Sequence, residues 1–162
     1  MKDRDRPLSP EGHQTAEQMA REFVRADLLP DHVLCSPARR TRETLAALDP
    51  YLDSDCRITF CDALYDAEQD DYRATITSYS GDHERLLVIG HNPTIHATAL
   101  TLIGSDASNS AAQIAAKFPP AALAVIFIAS ENWSLLRPKS GCLQAFIRSR
   151  DLDRDNTIAE SD

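Results

Sequence analysis

The chain has 162 residues, of which 43% are hydrophobic, and this is enough for one domain with a hydrophobic core. Its formal net charge of −8 argues against general binding to nucleic acids and to anionic membranes, because both are polyanions. No run of about 18 apolar residues occurs, so the sequence contains no candidate membrane-spanning helix.

Two further features favour a cytoplasmic protein. Residues 1–6 are mostly charged and no apolar segment follows them, which is unlike a signal peptide. The four cysteines, Cys35, Cys56, Cys61 and Cys142, show no spacing typical of a metal site, and three of them lie in or beside apolar segments. We therefore expect free thiols in a reducing compartment.

The first predicted element is an amphipathic helix. Ser9 followed by Pro10 is typical of a helix start, with Ser9 as the N-cap. The helix is expected to end before Pro30. Its apolar residues recur at helical spacing: Ala16, Met19, Ala20, Phe23, Val24 and Leu28.

The next two predicted strands are residues 32–35 and residues 57–61. Between them, the Ser-Pro pair at 36–37 repeats the cap-plus-proline pattern, which predicts a second helix ending at about Leu48. After the second strand, a third helix is predicted to end near Gly81.

Residues 86–89 read Leu-Leu-Val-Ile, which predicts a strand buried on both faces, as in a parallel sheet. Gly90 permits a tight turn, and Asn92 and Pro93 suit the cap and the first position of a helix. His91 is therefore predicted to lie where a central strand passes into a helix. In open α/β sheets, ligands bind at this edge, and free backbone amides there favour anions.

The remaining sequence completes an α/β pattern. Helices are predicted at 93–103 and 107–117, and a strand is predicted at 121–129. Residues 133–136 and 143–147 are predicted to pair as two closing strands at the edge of the sheet. We expect one three-layer α/β/α domain over residues 1–150, with a mostly parallel sheet and helices on both faces. Residues 151–162 are polar and are predicted to form a frayed tail.

Two of the predicted strand ends lead to side chains that suit a phosphoryl group. One leads to Arg39 and Arg40, and the other leads to His91. A guanidinium binds a phosphoryl group as a planar charged fork, and an imidazole can donate a hydrogen bond or move a proton. Arg40 alone is more typical of a helix surface, but its pairing with His91 favours a phosphate site. We expect the two side chains in one crevice, roughly 4–8 Å apart across one anion.

Five segments together resemble the histidine phosphatase superfamily. Residues 35–44, CSPARRTRET, resemble its SPxxRxxxT segment, and residues 88–93, VIGHNP, resemble its second-histidine segment. Residues 5–12, 64–67 and 117–119 narrow the resemblance to the short SixA-type phosphohistidine phosphatases. The resemblance covers nearly the whole chain, and it implies a phosphoglycerate mutase-like fold.

This resemblance implies a phosphatase that uses no metal or cofactor and forms a phosphohistidine intermediate. Its partner would be a phosphorylated protein, carrying phosphohistidine, or a small phosphorylated molecule. Arg40 and His91 would bind the phosphoryl group, with His91 also catalytic, and we include Asn92 as a further candidate ligand. Asp66 and Glu68 are candidates for a general acid, and the alternative is that they are ordinary carboxylates at a helix N-terminus.

The chain departs from the family at its first strand. Family members begin with a strand that ends in Arg-His-Gly or Arg-His-Ala, whose histidine is the nucleophile, and no segment here matches it. Either a segment upstream of Met1 carries this strand, which we favour, or the chain is a degenerate relative. We expect the 162 residues alone to lack the first strand of the sheet and to be inactive. A non-catalytic phosphate-binding module and a protein-interaction domain remain open alternatives.

Overall fold

Helices and strands alternate along the chain. The computed structural model describes residues 1–66, 69–79 and 81–152. In chain order the elements are α1 (Pro10–Arg25), β1 (His32–Cys35), α2 (Arg39–Leu48), β2 (Arg57–Phe60), α3 (Arg73–Tyr79), β3 (Leu86–Ile89), α4 (Thr94–Leu102), β4 (Ile103–Asp106), α5 (Ala111–Ala116), β5 (Leu123–Ile128) and β6 (Gly141–Ile147). Among these residues no helix has both the length and the apolar character that a membrane span requires.

Strands β2, β1 and β3 form a parallel sheet in that order. Cys35 at the end of β1 is paired with Phe60 of β2 and Ile89 of β3, so all three strands end at one edge of the sheet. Strand β1 is completely buried because it lies between the other two strands. The loops that follow β1 and β3 are therefore neighbours in space.

Helices cover both faces of this sheet. On one face, Leu87 of β3 packs with Phe23 of α1 and Leu48 of α2. On the other face, Val88 packs with Ile76 of α3. Neighbouring residues of a strand point to opposite faces, so these two clusters lie on opposite sides of the sheet. The predicted three-layer α/β/α arrangement is confirmed.

Strands β4, β6 and β5 form a second sheet, in which β6 is parallel to β4 and antiparallel to β5. The predicted pairing of 133–136 with 143–147 is wrong, because Trp133–Leu135 is a 3-10 turn and β6 pairs with β5. The side-chain oxygen of Asn132 accepts hydrogen bonds from the backbone N–H and the hydroxyl of Ser134, at 3.0 and 2.7 Å. Such local hydrogen bonds compete with strand pairing.

Helix α1 starts where the sequence predicts. The Ser9 hydroxyl oxygen accepts a hydrogen bond from the backbone N–H of Gly12 at 3.0 Å, and Pro10 is the first helical residue. Val24 was expected on the apolar face but is 46% exposed. The other predicted residues of that face within the helix are buried: Ala16, Met19, Ala20 and Phe23.

Two other helices begin later than predicted. Helix α3 begins at Arg73 and not at Asp66, because the Asp71 carboxylate accepts a hydrogen bond from the backbone N–H of Arg73 at 2.8 Å. Helix α5 begins at Ala111, because the Asp106 carboxylate accepts a hydrogen bond from its backbone N–H at 2.8 Å. In both cases an aspartate side chain satisfies a donor of the first helical turn.

An interstrand groove separates the two sheets between β3 and β5. In the described part of the chain, β3 pairs only with β1 and β5 pairs only with β6, so each has one edge without a backbone partner. The groove has a volume of about 780 Å³. Its apolar lining comes from both strands and from flanking segments: Phe23, Leu86, Val88, Ile126, Phe127, Ile128 and Trp133.

Candidate active site

Arg40 and His91 meet at the edge where the parallel strands end. Arg40 is the second residue of α2, which follows β1, and His91 lies just after β3. The Nη2 atom of Arg40 is 3.2 Å from Nδ1 of His91, and the Arg40 side chain is only 22% exposed. The structure brings these two residues together as expected. They are in direct contact, whereas we anticipated a separation of roughly 4–8 Å, with an anion between them and a hydrogen bond on each side.

The hydrogen bonds of His91 determine which ring nitrogen carries the proton. A guanidinium can only donate, so Nδ1 of His91 accepts from Arg40 and its proton lies on Nε2. This Nε2 atom is 2.7 Å from the hydroxyl oxygen of Ser36, to which it donates. Burial and the positive charge of Arg40 lower the pKa of His91 below its ordinary value of 6.5. The imidazole is therefore neutral at pH 7.

Ser36 belongs to this site, although sequence analysis assigned it to helix capping. Helix α2 begins at Arg39, its N-cap is Ala38, and no side chain caps it. The buried Ser36 hydroxyl instead contacts the His91 ring, and it accepts a hydrogen bond from the backbone N–H of Ala38 at 3.4 Å. The signal in the sequence was the position of Ser36 directly after β1, at the edge of the sheet.

Tyr72 holds the turn that carries His91. Its hydroxyl accepts a hydrogen bond from the backbone N–H of His91 at 3.0 Å and donates one to the carbonyl of Leu64 at 2.8 Å. A Cβ atom on Gly90 would lie 2.4 Å from the Tyr72 ring, so only glycine fits here. Gly90 was predicted for a tight turn, and the close approach of Tyr72 is the stronger physical reason for it.

The carboxylate of Asp3 lies on the outer side of Arg40. Its Oδ2 atom is 3.3 Å from Nη2 of Arg40 and 3.0 Å from the hydroxyl oxygen of Tyr65. The Oδ1 atom is 3.1 Å from Nη2 of Arg6, and the Asp3 carbonyl accepts a hydrogen bond from Nη1 of Arg40 at 3.0 Å. The Tyr65 hydrogen bond, helped by the charges of Arg40 and Arg6, lowers the pKa of Asp3. Sequence reasoning missed Asp3, because one acidic residue in a charged segment carries no signal.

Asn92, a further candidate ligand, does not contact Arg40 or His91 through its side-chain amide, which is bound elsewhere. Asn92 is exposed, its Nδ2 atom donates to the carbonyl of Phe118 at 2.8 Å, and it does not cap α4, which begins at Thr94 after Pro93. Asp66 is exposed and does not open a helix. Glu68 lies outside the described residues.

The chemistry of this site is that of an anion receptor. Arg40 presents a charged fork beside a histidine that can gain a proton, and Tyr65 and Arg6 already donate to a carboxylate next to it. The site is therefore locally basic in a chain whose net charge is −8.

Residues 1–74 match the family model of the histidine phosphatase superfamily, branch 1. An uncharacterized protein of Mycobacterium leprae is 36% identical over 146 residues, which cover 89% of this chain and 87% of that protein.

Two solved structures are similar over almost the whole chain. A protein of Nakamurella multipartitia assigned as the phosphohistidine phosphatase SixA is 31% identical, with a TM-score of 0.76, and the match covers 91% of this chain and 87% of that one. The corresponding protein of Agrobacterium tumefaciens is 27% identical, with a TM-score of 0.72 and coverage of 90% of both chains.

Proposed function

Because the chain belongs to the SixA-type branch of the histidine phosphatase superfamily, we propose that it is a phosphatase for phosphohistidine on a protein or for a small phosphorylated molecule. The observation that carries this proposal is the direct contact of Arg40 with His91 at the edge of the sheet. Two similar proteins assigned as phosphohistidine phosphatases support the substrate class. By the family resemblance, no metal or cofactor takes part.

The phosphoryl group is bound between the guanidinium and the imidazole. Arg40 has two Nη groups on one plane, which suit two oxygens of a phosphoryl group. His91 takes up a proton on Nδ1, and this N–H donates a hydrogen bond to a third oxygen of the phosphoryl group. Its Nε2 keeps the hydrogen bond to Ser36. Both residues thereby stabilise the negative charge that gathers on the oxygens in the transition state.

The nucleophilic histidine is carried by a strand that fills the interstrand groove. The partnerless edges of β3 and β5 and the apolar lining of the groove support this assignment. A strand that ran parallel to β3 would end beside His91, where its last side chains would reach the phosphoryl group. Because the 162 residues contain no Arg-His-Gly or Arg-His-Ala segment, they bind phosphate without turnover until that strand is supplied.

The reaction then proceeds in two displacements. A ring nitrogen of the nucleophile forms a bond to phosphorus while the substrate's P–N or P–O bond breaks, and the leaving group takes a proton from solvent or from a general acid. Water next attacks phosphorus, which releases inorganic phosphate and regenerates the free histidine. A phosphohistidine substrate has a good leaving group and needs little acid assistance, whereas an alkoxide would need Asp66 or Glu68 as its acid.

The test compares residues 1–162 with the same chain extended upstream by its own genomic reading frame. We expect the short form to bind vanadate without hydrolysing a phosphohistidine peptide or p-nitrophenyl phosphate, and the extended form to hydrolyse at least the peptide. Vanadate binding without hydrolysis by the extended form would indicate a phosphate-binding module. If Arg40→Ala left the vanadate affinity unchanged, the anion would not bind at Arg40 and the proposed site would be wrong.

A further inference from the structure

We propose that Tyr65 is a third hydrogen-bond donor of the phosphate site, and that the carboxylate of Asp3 competes with the phosphoryl group for Arg40 and Tyr65. This inference rests on the proposed function, because it concerns the same anion site. It adds one ligand-binding residue and one internal competitor to the pair formed by Arg40 and His91.

Asp3 occupies both Nη groups of Arg40. Nη1 donates to the Asp3 carbonyl at 3.0 Å, and Nη2 is 3.3 Å from the Asp3 carboxylate. The same Nη2 also contacts His91. A phosphoryl group that receives the whole guanidinium fork must therefore displace Asp3. A carboxylate and a phosphoryl group are both oxyanions, so they compete for the same donors.

Tyr65 already donates to the carboxylate that Arg40 holds. Its hydroxyl oxygen is 3.0 Å from Oδ2 of Asp3, the same oxygen that contacts Arg40. The hydrogen bond to Asp3 raises the pKa of Tyr65 above its ordinary value of 10.0, so the phenol stays protonated at neutral pH and remains a donor. Once Asp3 leaves, this hydroxyl faces whichever oxyanion replaces it.

The Tyr65 ring is positioned by contacts on two sides. It meets the His91 ring edge-on, with the centroids 5.6 Å apart and the planes at 83°. The Arg4 guanidinium lies over the Tyr65 ring, 5.7 Å from its centroid, and Arg4 also pairs with Asp62 at 3.0 Å. The ring is thus held between the site histidine and a surface ion pair. Its hydroxyl is therefore directed at the carboxylate that Arg40 also contacts.

A double-mutant cycle separates the two roles of Tyr65. In the parent chain, Tyr65→Phe has two opposite effects on vanadate affinity. It weakens the hold on the competing Asp3 carboxylate, and it removes a hydrogen-bond donor to the anion, so the single variant does not separate the two roles. In the Asp3→Ala background the competitor is already gone, and only the donor role remains. Vanadate affinity would be measured by calorimetric titration of residues 1–162, at protein concentrations low enough to keep the chain monomeric.

We expect Asp3→Ala to tighten vanadate binding roughly tenfold, the scale of one charge-assisted hydrogen bond. In that background, Tyr65→Phe should weaken binding by roughly five- to tenfold. Asp5→Ala removes the same charge from the 3-10 turn Asp3–Asp5, to which Asp3 also belongs, and Tyr79→Phe removes an exposed phenol elsewhere. Neither control should change the affinity by more than about twofold. Melting temperatures would verify that each variant is folded.

Two results would overturn the inference while leaving the proposed function intact. Unchanged affinity in Asp3→Ala would show that Asp3 does not compete, and unchanged affinity on adding Tyr65→Phe to Asp3→Ala would show that the phenol does not bind the anion. Failure of the proposed function itself gives a different pattern, in which Arg40→Ala has no effect in either background.

Discussion

At the scale of single residues, the site depends on a histidine whose protonation is coupled to its ligand. The Arg40 guanidinium donates to Nδ1 of His91, and burial together with this positive charge lowers the pKa of His91. A bound phosphoryl group reverses the sign of the nearby charge, which favours the imidazolium form. Vanadate binding should therefore raise the pKa of His91, and this shift is measurable by NMR titration of the imidazole carbon-bound protons.

The lowered pKa of His91 also predicts how stability depends on pH. The unfolded chain takes up this proton near pH 6.5, whereas the folded chain takes it up only at a lower pH. The contribution of His91 to the free energy of unfolding is therefore complete above pH 6.5 and decreases as the pH falls below that value. We expect urea denaturation to show a smaller loss of stability on acidification in His91→Gln than in the parent chain. An unchanged slope in His91→Gln would contradict the prediction.

Arg40 should contribute most of the affinity for phosphate. Arg40→Ala is expected to weaken vanadate binding by about 1.5–3 kcal/mol, the scale of hydrogen bonds to charged groups. Arg39→Ala is the matched control, because Arg39 carries the same charge on the same helix but pairs with Glu43 at 2.8 Å. We expect it to change the affinity little. Equal losses in the two variants would mean that long-range charge, and not the Arg40 contact, binds the anion.

At the scale of elements, the turn between β3 and α4 positions His91 through Tyr72 and Gly90. Gly90→Ala would place a methyl group 2.4 Å from the Tyr72 ring, and that ring is almost completely buried, at 1% exposure. We expect this substitution to lower the free energy of unfolding by about 1–3 kcal/mol, as overpacking does, and to weaken vanadate binding. Gly12→Ala in α1 is the control, since its Cβ meets only side chains at 3.2 Å or more and alanine favours a helix. Equal stability of both variants in urea denaturation would contradict the prediction.

The elements that could be predicted are those determined by local sequence. The Ser9 cap of α1 and the apolar strands β1 and β3 follow from capping chemistry and hydrophobic pattern, and the strand ends then placed Arg40 beside His91. The start of α3 and the turn at Trp133–Leu135 depend on side-chain hydrogen bonds that compete with the pattern.

The contacts that could not be predicted join segments far apart in the sequence. Asp3 and Tyr65 approach Arg40, and Tyr72 supports His91, through tertiary structure alone. Ser36 was correctly placed at a strand end but was given the role of a cap, because a Ser-Pro pair is the usual signal of one. Local patterns thus identified two of the site's residues and none of their supporting contacts.

At the scale of the whole molecule, the interstrand groove predicts self-association. Over the residues that the structure describes, the groove has two strand edges without backbone partners and an apolar lining, and such a surface is a template for aggregation. Each aliphatic side chain left exposed forgoes about 1.5–3 kcal/mol, out of a total stability of about 5–15 kcal/mol for a domain. We therefore expect residues 1–162 alone to be poorly soluble, and a chain in which a further strand fills the groove to be more soluble.

Light scattering against protein concentration would measure this association. Phe127 lines the groove and is 59% exposed, so Phe127→Lys should raise the concentration at which the chain aggregates. Phe60 is similarly exposed, at 52%, but lies on β2 outside the groove, and Phe60→Lys should have a smaller effect. The prediction is wrong if residues 1–162 stay monomeric at high concentration, or if both lysine variants improve solubility equally.

The position of Trp133 makes occupancy of the groove visible to spectroscopy. Trp133 is the only tryptophan of the chain, it lines the groove, and its indole N–H donates to the carbonyl of His83. A strand that settles against the indole excludes water from one side of it, which shifts its fluorescence emission to shorter wavelengths. Intrinsic emission would therefore be a label-free signal for a strand that docks in the groove, and stopped-flow mixing with a synthetic strand peptide would give the rate of docking.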